Sequence, residues 1–234
     1  EIGVSYLGNV AHSTKLWHTL TEKNISTYGI YLAPADLSGY NVCPNSAACR
    51  EHCLFGSGHT LIDLRSGRNK IVNSRIKKTK LFVENRDYFM QWMIHEIKVH
   101  KLQAELDGSD FSVRLNCTSD ISIRDFVYKG KCICDIFPDV QFYDYTKVYN
   151  NLDNVNEFSN YDLTYSYNGY NWNLCEKALN KNIRVAVVFE KHIPNSFHGF
   201  KVINGDTYDS RYMDDTNVIV GLKFKMTAST IKNG

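Results

Sequence analysis

Six apolar runs of strand length recur along the chain, at residues 28–33 (YGIYLA), 111–116 (FSVRLN), 140–145 (VQFYDY), 161–167 (YDLTYSY), 184–189 (RVAVVF) and 218–224 (VIVGLKF). Each is rich in β-branched or aromatic side chains, which suit a pleated, half-buried surface. Between the first two runs, Phe89, Met90, Met93 and Ile97 fall at helical spacing behind Asn85 or Asp87, either of which can cap the first turn. Residues 73–83 (NSRIKKTKLFV) carry a weaker helical period, and residues 172–179 fit a further helix. Buried strands separated by helices predict parallel βα units. The expected fold is a single α/β domain spanning residues 1–234, a partial (β/α) barrel of about six to seven mostly parallel strands, with residues 1–25 peripheral to it.

Polar residues gather where these runs end. Asn116, Ser119 and Asp120 follow the second run, Asp144 and Lys147 lie at the third, Ser166 at the fourth and Glu190 after the fifth. Parallel α/β folds bind ligands at the C-terminal edge of the sheet, where loops converge. Strand ends are also where any chain turns polar, so the set marks a candidate cavity lining.

Composition narrows the class. The 234 residues carry 43% hydrophobic and 13% aromatic side chains, which excludes a disordered chain. With 27 Lys+Arg against 25 Asp+Glu, no global field indicates a nucleic-acid or anionic-lipid partner. No apolar run approaches the ~20 residues that span a bilayer, and no basic-then-apolar leader opens the chain. The first residue is Glu1 rather than Met, which fits a trimmed N-terminus. Seven cysteines cannot all pair internally and are too sparse for a secreted disulfide scaffold. A reducing, cytoplasmic setting is expected, where clustered cysteines point to metal rather than bridges.

Three of the seven are clustered. Cys43, Cys49 and Cys53 lie within NVCPNSAACREHC at C-x5-C-x3-C spacing. Thiolates are soft ligands that select zinc, copper(I) or iron–sulfur clusters. Zinc fingers and ribbons usually pair narrower C-x2–4-C units. A 4Fe–4S cluster accepts a compact three-cysteine loop, with its fourth iron held by a distant group or left open. His52 and His59 keep zinc as an alternative, and three free thiols in a reduced loop is the plain reading. Cys117, Cys132, Cys134 and Cys175 are the candidates for a fourth ligand, although lone cysteines more often pack as small hydrophobes.

Other chemistry is thinner. His95-Glu96 lacks the second histidine of H-E-x-x-H, since Val99 stands there, and no phosphate-loop, dinucleotide or nucleophile-elbow motif occurs. Gly56-Ser57-Gly58 can act as a flexible turn or an anion-binding nest. Arg75, Lys77, Lys78 and Lys80 form a basic run just after the cysteine loop, with Arg75 and Thr79 one turn apart on one face. Residues 204–215 (NGDTYDSRYMDD) place Asp206, Asp209 and Arg211 together, favouring a charge-assisted turn network over a cation site.

In order along the chain, NVCPNSAACREHC, SRIKKTKLF, RLNCTSDI, VQFYDYTK, YDLTYSY and VINGDTYDSRYMDDTNVIVGLKFK resemble the phage gene-product-eighty-eight family over about four fifths of the sequence. The resemblance implies a phage-encoded protein of the host cytoplasm that holds a 4Fe–4S cluster through Cys43, Cys49 and Cys53. With a cluster there, Arg75, Lys78 and Thr79 are expected beside it, and Asn116, Ser119, Asp120, Asp144 and Lys147 around the cavity above the strand ends. Family members typically carry glycine where Cys117 stands, which argues against Cys117 as a general ligand. The chain also looks like a distant relative of radical SAM barrels, whose cysteine triplet likewise follows the first strand. It departs from their C-x3-C-x2-C spacing and has no clear Gly-Gly-Glu segment, so SAM binding does not follow from the likeness. An open iron would serve radical-SAM-like or Lewis-acid chemistry on a small-molecule ligand. The alternatives are a non-enzymatic cluster protein that senses redox state or binds a host partner, and a zinc-stapled structural module.

Overall fold

The computed structural model describes residues 7–8, 13–46, 49–50, 53, 55 and 58–225. The described chain runs β1 (Leu7–Gly8), α1 (Thr14–Lys23), β2 (Ile25–Ile30), α2 (Gly58–Arg65), α3 (Lys70–Glu84), α4 (Arg86–Leu106), β3 (Asp110–Arg114), β4 (Val127–Tyr128) and β5 (Lys131–Cys132). It continues with α5 (Ile133–Ile136), β6 (Gln141–Thr146), β7 (Tyr161–Ser166), α6 (Trp172–Asn180), β8 (Val185–Phe189), β9 (Ser196–Phe197), β10 (Phe200–Asn204) and β11 (Ile219–Lys223).

One mixed sheet dominates, in the order β1-β2-β3-β6-β7-β8-β11-β10-β9. All neighbours from β2 across to β10 pair in parallel, and only the two-residue edge strands β1 and β9 run antiparallel. The mostly parallel α/β architecture is therefore as expected. The strand number is not: the sheet has nine strands rather than six to seven. Two-residue strands are too short to leave a period in the sequence, and β10 (FKVIN) exposes Lys201 and Asn204 and buries no residue fully, so it lacks the alternation that marks a strand. No pairing joins β1 to β9 among the described residues, so the described sheet is open rather than a closed barrel. Of the segment expected at the periphery, residues 14–23 form α1, and its Leu16 and Thr19 are buried.

The two faces of the sheet differ in chemistry, because successive side chains of a strand point to opposite sides. One face carries Val113, Phe142, Leu163, Tyr165, Val185, Val187 and Ile219 into the main core. There they meet Phe82 of α3, the fully buried Phe89, Met90, Met93 and Ile97 of α4, and Ala178 and Leu179 of α6. The helical spacing read from the sequence is thus the stripe α4 buries, and Asn85 is its cap: its side-chain oxygen accepts the Tyr88 N–H at 3.3 Å.

The other face is polar. Thr27, Ser112, Arg114, Tyr143, Asp162 and Thr164 alternate with the core residues, and Thr27 bonds Ser112 at 2.8 Å. Residues 205–214 fold over this face as a charged cover. Asp209 Oδ2 accepts from Arg114 Nη1 at 3.0 Å and from the Tyr143 hydroxyl at 2.9 Å, while the Asp209 N–H donates to Thr19 Oγ1 of α1 at 3.0 Å. Arg211, fully buried, pairs with Asp214 at 3.2 Å and donates to the Tyr208 carbonyl at 2.7 Å. Arg184 joins Asp162 at 2.8 Å to the Asp214 carbonyl at 2.7 Å. The segment is the charge-assisted network its composition suggested. Burial by itself would raise the Asp209 carboxyl, but Arg114, Lys15, the Tyr143 hydroxyl and Arg211 together hold it below its ordinary value.

Gly29 shows how tightly β2 packs on the segment after β3. A Cβ there would stand 2.3 Å from Cys117 Sγ, while the next atoms lie at 3.5 and 3.6 Å. Gly29→Ala is expected to destabilise by about 1–3 kcal/mol through overpacking. Gly29→Ala combined with Cys117→Ala should recover most of that loss in urea unfolding, since only the sulfur is in the way.

Asp209→Asn leaves Arg114 buried without its carboxylate and should cost about 3–5 kcal/mol at pH 7. A carboxyl depressed in the folded state stabilises fully above its unfolded pKa of ~3.9 and loses that contribution as pH falls through the folded value. The gap between wild type and variant should therefore be full at pH 7 and close in acid below about pH 4, as read by denaturant midpoints across that range.

Candidate functional site

The first apolar run extends to residue 33, yet β2 ends at Ile30. Beyond it, side chains rather than a neighbouring strand take the backbone groups. The Ala33 N–H donates to Thr79 Oγ1 of α3 at 2.8 Å, and the Thr79 hydroxyl donates to the Arg75 carbonyl at 2.9 Å. The Leu32 carbonyl accepts from Thr118 Oγ1 at 2.6 Å. The chain is thereby turned across the C-terminal edge of the sheet. There the Asp120 N–H holds the Val42 carbonyl at 2.8 Å, and Asn41 Oδ1 accepts the Cys43 N–H at 3.0 Å.

Cys43, Cys49 and Cys53 all lie in this crossing loop, half-buried and unbridged. Cys43 Sγ accepts the Ala35 N–H at 3.3 Å and contacts the Thr118 carbonyl at 3.8 Å. The Cys53 thiol donates to Cys49, and the Phe55 N–H points at the Cys53 sulfur. The Lys147 ammonium, just past β6, acts on Cys49 as a nearby positive charge. Burial pushes the Cys43 thiol up. Cys49 is drawn down to about 6, first by the Cys53 thiol and then, against burial, by Lys147; Cys53 is pushed up correspondingly. The loop thus presents its sulfurs to one another and supplies them with N–H donors and a nearby ammonium.

The polar residues at the strand ends serve a different end. The Asn116 N–H donates to Asp144 Oδ1 at 2.6 Å and its Nδ2 to Asp144 Oδ2 at 3.0 Å. Its Oδ1 accepts from Ser119 Oγ at 2.7 Å and from the Ile121 N–H at 2.9 Å. Asp120 accepts from Thr146 Oγ1 at 2.7 Å and from the Lys147 N–H at 2.8 Å. Burial pushes Asp144 up to about 7, against Arg114 and the Asn116 donors, and pushes Asp120 up against Thr146 and the Lys147 N–H. Expected as a cavity lining, Asn116, Ser119 and Asp144 bond one another and Asp120 bonds Thr146 and the Lys147 N–H, tying the loops after β3 and β6 together. Of that group, the Lys147 side chain is the one that acts on Cys49.

On α3, Arg75 reaches the loop at Phe55, while Lys78 is buried near Arg75 and Cys117. The Arg75 guanidinium lies between the rings of Tyr31 and Phe55, 5.1 Å from each centroid, within electrostatic reach of Cys53 and Cys117. Lys78 is 7% exposed. Burial, with Arg75 adding to it, lowers its ammonium to about 8. Thr79 positions backbone rather than ligand. Tyr31 and Phe55 escaped the sequence reading. Tyr31 looked like strand, and Phe55 follows the last cysteine by two residues with no motif to mark it.

The other cysteines pack. Cys132 and Cys134 are buried and unbridged, with Cys132 Sγ against the Ile123 carbonyl at 3.7 Å, and Cys175 contacts Asn171 Oδ1 at 3.8 Å in α6. Cys117, hydrogen-bonded by the Tyr31 hydroxyl, is pushed up to about 12 by burial. His59 lies exposed on α2, while His52, Gly56 and Ser57 fall outside the described residues. Among the described residues, no three His, Cys, Asp or Glu side chains already converge as a site for one metal ion.

These features define a parallel-sheet α/β protein with a cysteine-bearing loop across the C-terminal strand edge. The chain belongs to the Gene product 88 family, whose model matches residues 5–233, as the collinear motifs suggested. No curated protein and no solved structure matches it. No described helix is long and apolar enough to cross a membrane.

Thr79, fully buried, is a sensitive point of this site. Thr79→Val removes the acceptor of the Ala33 N–H and should cost about 1–3 kcal/mol, whereas Thr79→Ser should cost less than half of that. Thermal unfolding of the two variants checks the difference.

Proposed function

We propose that this phage-encoded protein binds one 4Fe–4S cluster through Cys43, Cys49 and Cys53. The observation that carries the reading is the gathering of the three thiols in one loop whose backbone directs N–H donors at the sulfurs, with the Lys147 ammonium nearby. Such donors stabilise thiolate and tune a cluster held by it. A polynuclear cluster binds its thiolates at separate irons, so three thiols spread along one loop could each take one. Bound there, the cluster would supply a one-electron carrier or, at an iron without a protein ligand, a Lewis acid. The chain's own residues would hold it against the C-terminal edge of β2, β3 and β6, with Lys147 offsetting its negative charge. The cytoplasm of the host is the compartment in which such thiols stay reduced.

A second reading rests on Cys49 and Cys53 being free, half-buried thiols at C-x3-C spacing in one loop. Loss of two electrons to a peroxide or disulfide oxidant, with release of both thiol protons, would join them in a reversible disulfide and make the loop a redox sensor without a cluster.

Elemental analysis of anaerobically purified protein separates these readings. About four irons and four sulfides per chain, lost in Cys43→Ser, Cys49→Ser and Cys53→Ser, are expected for the cluster. One zinc per chain and no iron would overturn it in favour of a structural staple. Absence of metal, with a Cys49–Cys53 disulfide found by mass spectrometry after mild oxidation, would favour the sensor. Adding SAM to the reduced cluster, with EPR and cleavage as readouts, decides whether that cofactor binds.

A further inference from the structure

Lys78 and Arg75 are two cations on one face of α3, one turn apart, and neither has a carboxylate partner among the described residues. Lys78 is 7% exposed and its ammonium forms no hydrogen bond there. Arg75 Nη1 is buried and equally unpartnered, while the ring faces of Tyr31 and Phe55 fix the plane of its guanidinium. Glu96 acts on Lys78 only through space, and its Oε2 already accepts the Leu7 N–H at 3.1 Å. Elsewhere in this molecule buried cations are matched: Arg114 by Asp209, Arg184 by Asp162 and Arg211 by Asp214. Burying two like charges side by side without counter-charge is costly, and a structure that matches its other buried arginines leaves this pair open for something else.

We propose that Arg75 and Lys78 form an oxyanion-binding subsite, taking the phosphate or carboxylate group of a small molecule at the C-terminal edge of the sheet. The planar guanidinium, held by the two rings, presents a fork suited to two oxygens, and the ammonium supplies a point charge beside it. Arg75 packs on Phe55, two residues after Cys53, so an anion seated on its guanidinium lies next to the cysteine loop. The subsite is built by α3 and the residues after β2, and does not depend on what the thiols hold.

The test uses the full chain at constant ionic strength, with inorganic phosphate, malonate and chloride compared by thermal unfolding and calorimetry. Phosphate or malonate should raise the unfolding midpoint of the wild type over chloride, and the stronger of the two identifies the group. Lys78→Met removes the unpaired charge while keeping the aliphatic packing. It should match or exceed wild-type stability in chloride and bind the anion at least tenfold more weakly. Arg75→Gln reads the same loss should Lys78→Met fail to fold. In the Cys43→Ser/Cys49→Ser/Cys53→Ser variant the anion response should persist, whatever metal the wild type is found to carry. No anion response in the wild type, an undiminished one in Lys78→Met, or its loss in the triple serine variant would overturn the proposal. The last result would assign the two cations to the loop's own cofactor.

Discussion

The pairing of Arg114 with Asp209 is the interaction on which the second half of the molecule depends. A guanidinium rising from a parallel strand cannot be left against an apolar cover, because a buried charge without a partner costs several kcal/mol. Asp209 meets it at 3.0 Å and also takes the Tyr143 hydroxyl, while its backbone reaches Thr19 on α1. One carboxylate thereby fixes β3, β6, α1 and the 205–214 cover together. Arg184 and Arg211 repeat the logic further along the cover. One face of the sheet is closed by hydrophobic helices, and the other by matched charge.

With both faces filled, the C-terminal edge is where function has room. Parallel strands end together there, and the loops after β2, β3 and β6 are bound to one another by the Asn116–Asp144 and Asp120–Thr146 bonds. Those bonds make a floor of fixed backbone. The cysteine loop lies across it, held by the Asp120 N–H and the Thr118 carbonyl, so the three sulfurs sit on a scaffold rather than a free tether.

Much of this was legible from the sequence. The runs after residue 110 each became a strand with ends shifted by one or two residues, and α4 took the cap and stripe its spacing implied. Long, strongly patterned elements announce themselves because burial of one face dominates their energetics. β1 and β9 did not, since two residues hold no period, and β2 was placed three residues late because Tyr31–Ala33 look like strand but bond to side chains. At the site, the cysteine loop and its neighbour Arg75 were visible from spacing alone. The roles of Asn116, Asp120 and Asp144 were not, because a polar residue at a strand end looks the same whether it faces a cavity or another loop.

The seven cysteines show where the division falls. Sequence by itself separated Cys43, Cys49 and Cys53 from the rest, because local spacing decides which sulfurs a short loop can bring together. It also determined the parallel α/β class, through the alternation of apolar runs and helical stripes. Only the tertiary structure decided that Cys117 fills the space above Gly29, that Asp209 closes on Arg114 across 95 residues, and that Arg75 and Lys78 are buried with no carboxylate partner among the described residues. Whether a buried charge is matched depends on groups far apart in the chain, and no local pattern carries that information.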